Sequence, residues 1–268
     1  VLLALCAGTV AQTPDEMLTR YRRAHHDESS VYIEKNTTIT IRRGATGLVA
    51  DRNVEEERIT LKTLAGQTQD EQVYYSGMVP LKSIEAYTMT PVNDKYKKMQ
   101  VSRFTHKDER DQQIFHDDSR SVDFLYPAVL PGAITHMDYV VDYPDARFLN
   151  GHFFAAGVPV EESTLTVVHD KDVAVDVRSF HIPDGALAVT SADKHGKVTD
   201  TYTMHDVPAL ESAQDAPDYR YYAPHVQLVV RDLNAKHADA TQSDLQRLYA
   251  WYYGHVAPVS GTDDPELA

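Results

Sequence analysis

Two short stretches carry the residue types that can do chemistry. His116-Asp117-Asp118-Ser119-Arg120 is the densest polar cluster, and Asp218-Tyr219-Arg220-Tyr221-Tyr222-Ala223-Pro224-His225 is a tyrosine-rich run. Adjacent carboxylates beside an arginine can hold a cation or an amine. Asp117 and Asp118, however, lie on the approach to a strand, where successive residues point to opposite faces, which places them poorly for paired acid and base work. A solvated turn is the reading we adopt for Asp117, Asp118 and Arg120, with ligand binding as the alternative. Tyr219, Tyr221 and Tyr222 offer a sugar-stacking or peptide-binding platform, because aromatic faces bury large area at low entropic cost. Core and edge packing is the competing reading for these tyrosines.

Thirteen histidines raise the question of a metal, since imidazole is a common transition-metal ligand. Their spacing argues otherwise: His25 and His26 are neighbours, and most of the others are scattered singly. They read as surface or half-buried histidines, so no metal site, cofactor site or catalytic residue is assigned. The nucleophile elbow, the HExxH zinc helix and the glycine-rich phosphate loops are all missing from the sequence. Asn36 and Thr38 satisfy the glycosylation sequon, which has meaning only in a eukaryotic secretory pathway.

Cys6 is the single cysteine, and it lies in a segment with the character of an export signal. Val1 to Ala7 are apolar but too few to span a bilayer, and Thr9 and Ala11 are small residues placed for cleavage before Gln12. Leu5 precedes Cys6 where bacterial lipoprotein signals carry a small residue, so simple cleavage is expected over lipidation. A buried first strand is the alternative. With residues 1–11 removed, the mature chain would have no disulfide and no thiol nucleophile. That points to a bacterial periplasmic, extracellular or surface protein.

Charge narrows the partners. Forty acidic residues oppose twenty-six basic ones, a formal charge of −14. Such a surface repels phosphate backbones and anionic membranes, so nucleic acid is excluded and no membrane span is expected. The 268 residues are enough for one large all-β domain or two ordinary ones, and 42% hydrophobic content is ample for a buried core.

The elements that would position these residues are mostly strands. Thr13, Pro14 and Glu16 spell a capping box opening a short helix through Met17, Leu18 and Tyr21. From Ser30 the period becomes two. Val31, Ile33, Ile39 and Ile41 are expected to point inward, and residues 45–47 turn the chain into a second long strand. Further alternating runs, punctuated by turns, indicate an antiparallel β-sandwich, immunoglobulin-like or larger, over residues 12–238. A second capping box, Ser243 and Gln246, opens a helix with Leu245, Leu248, Tyr249 and Tyr252 on one stripe and Gly254 after it. Residues 239–268 thus read as a helix and linker, and the chain reads as stopping before its protein does.

"SRSVDFLYPAVLPGAITHMDYVV", residues 119–141, resembles the central signature of a bacterial domain-of-unknown-function family that lies immediately N-terminal to transglutaminase-like domains in exported proteins. The match extends through "SSVYIEKNTTITI", "MVPLKSIEAYTMTP" and "YTMHDVPALESAQDAPDYRYYAPHVQLVV", and "LQRLYAWYYGHV" is similar to the helix leading into the transglutaminase-like core. Met204 stands where the family's closing strand carries tryptophan. The resemblance implies a β-sandwich without activity of its own, with the catalytic Cys, His and Asp beyond Ala268. The partner is then a downstream transglutaminase-like domain in the same polypeptide. An autonomous glycan- or peptide-binding module is the alternative function, and a hydrolase using Asp117 and Asp118 a weaker one. Within the signature, Val122, Phe124 and Tyr126 are expected on one face and Asp123 and Leu125 on the other, with Pro131 and Gly132 forming a type II turn.

Overall fold

The computed structural model describes residues 12–45, 47–63, 69–109, 118–211 and 216–232, with Gln246, Tyr249, Ala250, Tyr252 and Tyr253 beyond them. The expected signal remnant and most of the expected C-terminal helix lie outside the described residues. The chain divides into two compact units, residues 1–231 and 232–268. The helix and strands belong to the first, whose last strand ends one residue past that boundary.

The N-terminal helix α1 (Pro14–Ala24) forms as its sequence dictates. The Glu16 amide donates to Thr13 Oγ1 at 3.3 Å while the Thr13 amide donates to Glu16 Oε2 at 2.8 Å. Asp15 and Glu16 in the first turn and Arg22 and Arg23 in the last complement the helix dipole. Its apolar side, Met17, Leu18 and Tyr21, packs on Val31, Ile59 and Leu61. The Tyr21 hydroxyl donates to Glu161, and burial with this carboxylate beside it pushes the phenol far above its ordinary range.

Fourteen strands follow among the described residues: β1 (Ser30–Arg43), β2 (Leu48–Thr60), β3 (Asp70–Ser76), β4 (Leu81–Val92), β5 (Lys95–Gln100), β6 (Phe104–Asp108) and β7 (Ser119–Leu125), then β8 (Ile134–Tyr143), β9 (His152–Phe153), β10 (Val160–Asp170), β11 (Val173–Phe180), β12 (Ala188–Lys194), β13 (Lys197–Val207) and β14 (His225–Asp232). They form an eight-stranded sheet ordered β12-β13-β10-β1-β2-β8-β4-β5, and two three-stranded sheets, β11-β14-β9 and β3-β7-β6. Among the described residues of the first unit, the regular structure is therefore all-β apart from helix α1 and short 3₁₀ turns. Two features depart from the sequence reading. The pairing of β1 with β10 is parallel, Tyr32 opposite Val160, where antiparallel sheets were expected; alternation reports which face a residue takes, not strand direction. β3 was not among the expected strands.

A bulge supplies the other correction. The register of β1 on β2 shifts between Tyr32 and Glu34, and one extra residue moves everything beyond it to the opposite face. Val31 therefore packs under helix α1, while Ile39 and Ile41 face the small sheets. The four residues share parity in the sequence but not a common interior.

Both small sheets share a core with the large one. Ile39, Leu165 and Val167 meet Val173, Val226 and Leu228 of the β11-β14-β9 sheet. Ala86 and Met137 meet Val73, Val122 and Phe124 of the β3-β7-β6 sheet. Met137 and Val141, of the same parity on β8, join one core each, so the two small sheets cover the same face. A polar seam runs across that face. Lys35 Nζ lies 3.7 Å from Glu56 and Arg58 3.2 Å from Glu71. The fully buried His152 has Nε2 3.2 Å from Ser163 Oγ. Burial, reinforced by Lys35 and Arg52, holds the His152 imidazole far below its usual range.

The signature behaves as its pattern requires. Val122, Phe124 and Tyr126 are buried and Leu125 is 62% exposed. The Ala133 amide then donates to the Leu130 carbonyl at 2.8 Å across Pro131 and Gly132, and Gly132 has φ +87°. Ala128 also has positive φ, +51°, which nothing in its residue type announces.

Candidate binding site

The aromatic run enters β14 through a tight 3₁₀ turn, Tyr219–Tyr221. Asp218 caps it: its Oδ1 accepts from the Arg220 amide at 2.9 Å, as short acidic side chains do at such starts. The turn closes through the Tyr221 amide to the Asp218 carbonyl and the Ala223 amide to the Tyr219 carbonyl. Rings on so tight a turn splay outward: Tyr219, Tyr221 and Tyr222 are 48%, 72% and 38% exposed. These three tyrosines are not core residues, while Tyr219 keeps an edge contact with Phe153.

Pro224 then delivers His225 to the sheet, where its ring lies between two others. The Phe153 centroid is 4.7 Å away and the Phe180 centroid 5.0 Å away, both stacked. Tyr219 meets the edge of Phe153 at 4.8 Å, and His181 lies 6.0 Å from His225. Nδ1 of His225 donates to the Ala223 carbonyl at 2.9 Å. A groove of about 620 Å³ opens here, lined by Phe180, His181, Tyr221, His225 and Gln227 together with Asp218 and Arg220. Its two formally charged side chains are paired with each other. Arg220 Nε donates to Asp218 Oδ1 and its terminal nitrogen to Oδ2, each at 2.9 Å. These bonds push the Asp218 carboxyl down to about 2.

Asp118 and Arg120 belong to the other small sheet. Asp118 Oδ2 accepts the Met78 amide at 3.3 Å and steadies the turn into β4. Arg120, on β7, has Nε 3.6 Å from Asp108 on the neighbouring strand. Asp117 lies outside the described residues. A second groove of about 660 Å³ borders that sheet. Three of its polar side chains bond one another: Gln72 donates to Asp123 at 2.9 Å, and Lys107 is paired with Asp123. Among the described residues no group of three or more His, Cys, Asp or Glu is arranged to hold a metal ion, and no helix is long and apolar enough to cross a membrane.

Sequence reading reached the tyrosines but not their supports. Asp218, Arg220 and His225 stood in the same quoted run. Phe153 and Phe180 come from β9 and β11, brought alongside by pairing that no local pattern encodes.

Comparison with solved structures places the fold among known ones. A "putative protease" from Parabacteroides distasonis superimposes with TM-score 0.61 at 14% identity, over 75% of this chain and 40% of that one. An M1 zinc metallopeptidase from Deinococcus radiodurans matches with TM-score 0.37 at 10% identity, over 76% and 42%. Native leukotriene A4 hydrolase from Saccharomyces cerevisiae matches with TM-score 0.39 at 8% identity, over 75% and 29%. The chain spans less than half the length of each of these three. No curated protein matches it in sequence. Residues 52–211, from β2 to the segment after β13, match the "Domain of Unknown Function with solved-structure structure" (DUF3857), and the chain belongs to that family.

Proposed function

We propose that this chain is a recognition domain without chemistry of its own, working in an exported bacterial protein beside a catalytic domain of the same polypeptide. The observation that carries the proposal is the aromatic groove. Exposed Tyr221 lines it together with Phe180 stacked on His225, beside a paired Asp218 and Arg220. Large aromatic rings kept in water on a tight turn beside a rigid sheet mark a binding surface rather than a packing one.

The accessory role draws on length and resemblance. The Parabacteroides distasonis protein, described as a protease, is aligned over only 40% of its chain, leaving room for a separate catalytic part. The signature around Ser119–Val141 resembles domains preceding transglutaminase-like cores, whose Cys, His and Asp would follow Ala268. The groove would then hold a substrate or partner for that core. The same groove serves the second reading, an autonomous glycan- or peptide-binding module.

Purified chain should give no hydrolytic or acyl-transfer turnover. Reproducible turnover abolished by one substitution in this chain would overturn the accessory reading. Reading the gene past the Ala268 codon separates the two binding roles. An open frame encoding a Cys-bearing transglutaminase-like domain supports the first, and an immediate stop codon supports the second.

A further inference from the structure

We infer that the groove takes a neutral oligosaccharide built of pyranose rings, an inference that rests on the groove being a binding site at all. Three features of the lining select this chemistry.

The first is charge. Asp218 and Arg220 are the formally charged side chains of the lining, and they face each other in a two-pronged pair at 2.9 Å. An anionic ligand would compete with Asp218 for the guanidinium, and a cationic one would compete with Arg220 for the carboxylate. A neutral ligand leaves the pair intact.

The second is the kind of hydrogen bonding on offer. A guanidinium has five N–H donors, and Asp218 takes those on Nε and one terminal nitrogen. Oδ1 of Asp218 is already taken by the Arg220 amide and Nε, so the remaining guanidinium donors and the second lone pair of Oδ2 form the edge on offer. Neighbouring hydroxyls of a sugar ring each donate and accept, so a vicinal diol engages such a mixed edge with both groups. Gln227 adds an amide with both characters.

The third is shape. Pyranose rings carry a flat C–H face that stacks on an aromatic ring, a contact that uses area without charge. Tyr221 stands 72% exposed at the groove, and Phe180 is braced from behind by His225 with planes only 12° apart. A braced ring loses little further freedom when a sugar settles on it.

The test is calorimetric titration of the full chain with neutral gluco-, manno-, xylo- and N-acetylglucosamine oligomers of three to six units. Acidic oligosaccharides and extended peptides run alongside. Saturable binding is expected for at least one neutral series, weakened tenfold or more by Tyr221→Ala and by Asp218→Asn. Tyr74→Ala, on the other small sheet, should leave it unchanged. Because Tyr221 is exposed, its replacement should not disturb folding, and unchanged thermal unfolding would confirm that. Binding of peptides or acidic glycans with all neutral glycans silent overturns the sugar inference but keeps the groove as a site. Neutral-glycan binding indifferent to both substitutions overturns this placement. Silence from every class overturns the groove reading itself.

Discussion

The imidazole of His225 lies face to face with the ring of Phe180, centroids 5.0 Å apart and planes 12° apart. Phe180 ends β11 and His225 begins β14, neighbouring strands of one sheet, and both rings line the groove. His225→Ala removes a ring that is 4% exposed and should destabilise the chain by about 2 to 3 kcal/mol. His225→Phe keeps the stack and loses the donor to the Ala223 carbonyl, for about 1 kcal/mol. Urea unfolding of the two variants checks the order. Equal losses would mean that the stack contributes nothing.

Gly132 holds φ +87° between Pro131 and Ala133. An added Cβ would find ordinary room, 3.4 Å from Pro91 and 3.6 Å from Leu18, so the strain is conformational rather than steric. Gly132→Ala should destabilise by about 1 to 2 kcal/mol. Gly157→Ala, at a glycine with open space and no positive φ, should be close to neutral in the same thermal unfolding experiment.

Thr13 caps helix α1 through both halves of a capping box. Thr13→Ala should lower stability by about 1 kcal/mol, and Thr13→Ser should restore most of it. Hydrogen exchange at the Glu16 amide, which donates to Thr13 Oγ1, should quicken in the Ala variant first.

His152 is buried neutral, its pKa held well below the usual value by burial and by Lys35 and Arg52. Below about pH 6.5 the unfolded chain takes up a proton there that the folded chain refuses. Stability should therefore fall as pH drops from about 6.5 toward the depressed folded value, by up to about 1.4 kcal/mol per unit. His152→Gln should lower stability at pH 7 and flatten this slope between pH 6.5 and 5. An unchanged slope would assign the acid sensitivity to other groups.

Asp218 should titrate near 2 by carboxyl NMR, its ionised form held by the Arg220 hydrogen bonds. Arg220→Gln should return the midpoint toward the ordinary carboxylate range of about 3.9.

Local chemistry was legible in the sequence wherever it acts over a few residues. The Thr13 box, the Leu130–Ala133 turn and the alternation through Val122, Phe124 and Tyr126 all follow from nearest neighbours and period. Long-range geometry was not. The bulge beside Ile33 is a backbone event that leaves the residue types unchanged, so Val31 and Ile39 looked equivalent. β3 was overlooked because Asp70-Glu71-Gln72 begins it with three polar residues. The tyrosines drew notice as a run, but their exposure depends on the tight turn that Asp218 caps. Phe153 and Phe180 joined them only through strand pairing across the fold.

The parallel pairing of β1 with β10 also has a history in time. Tyr32 leaves the ribosome more than a hundred residues before its partner Val160. At the ordinary pace of synthesis, roughly 5 to 20 residues per second, one flank of β1 waits for several seconds without its neighbour. Ile39 and Ile41 are exposed to wrong partners through that interval. Slowing translation between β2 and β10 would lengthen that interval rather than shorten it.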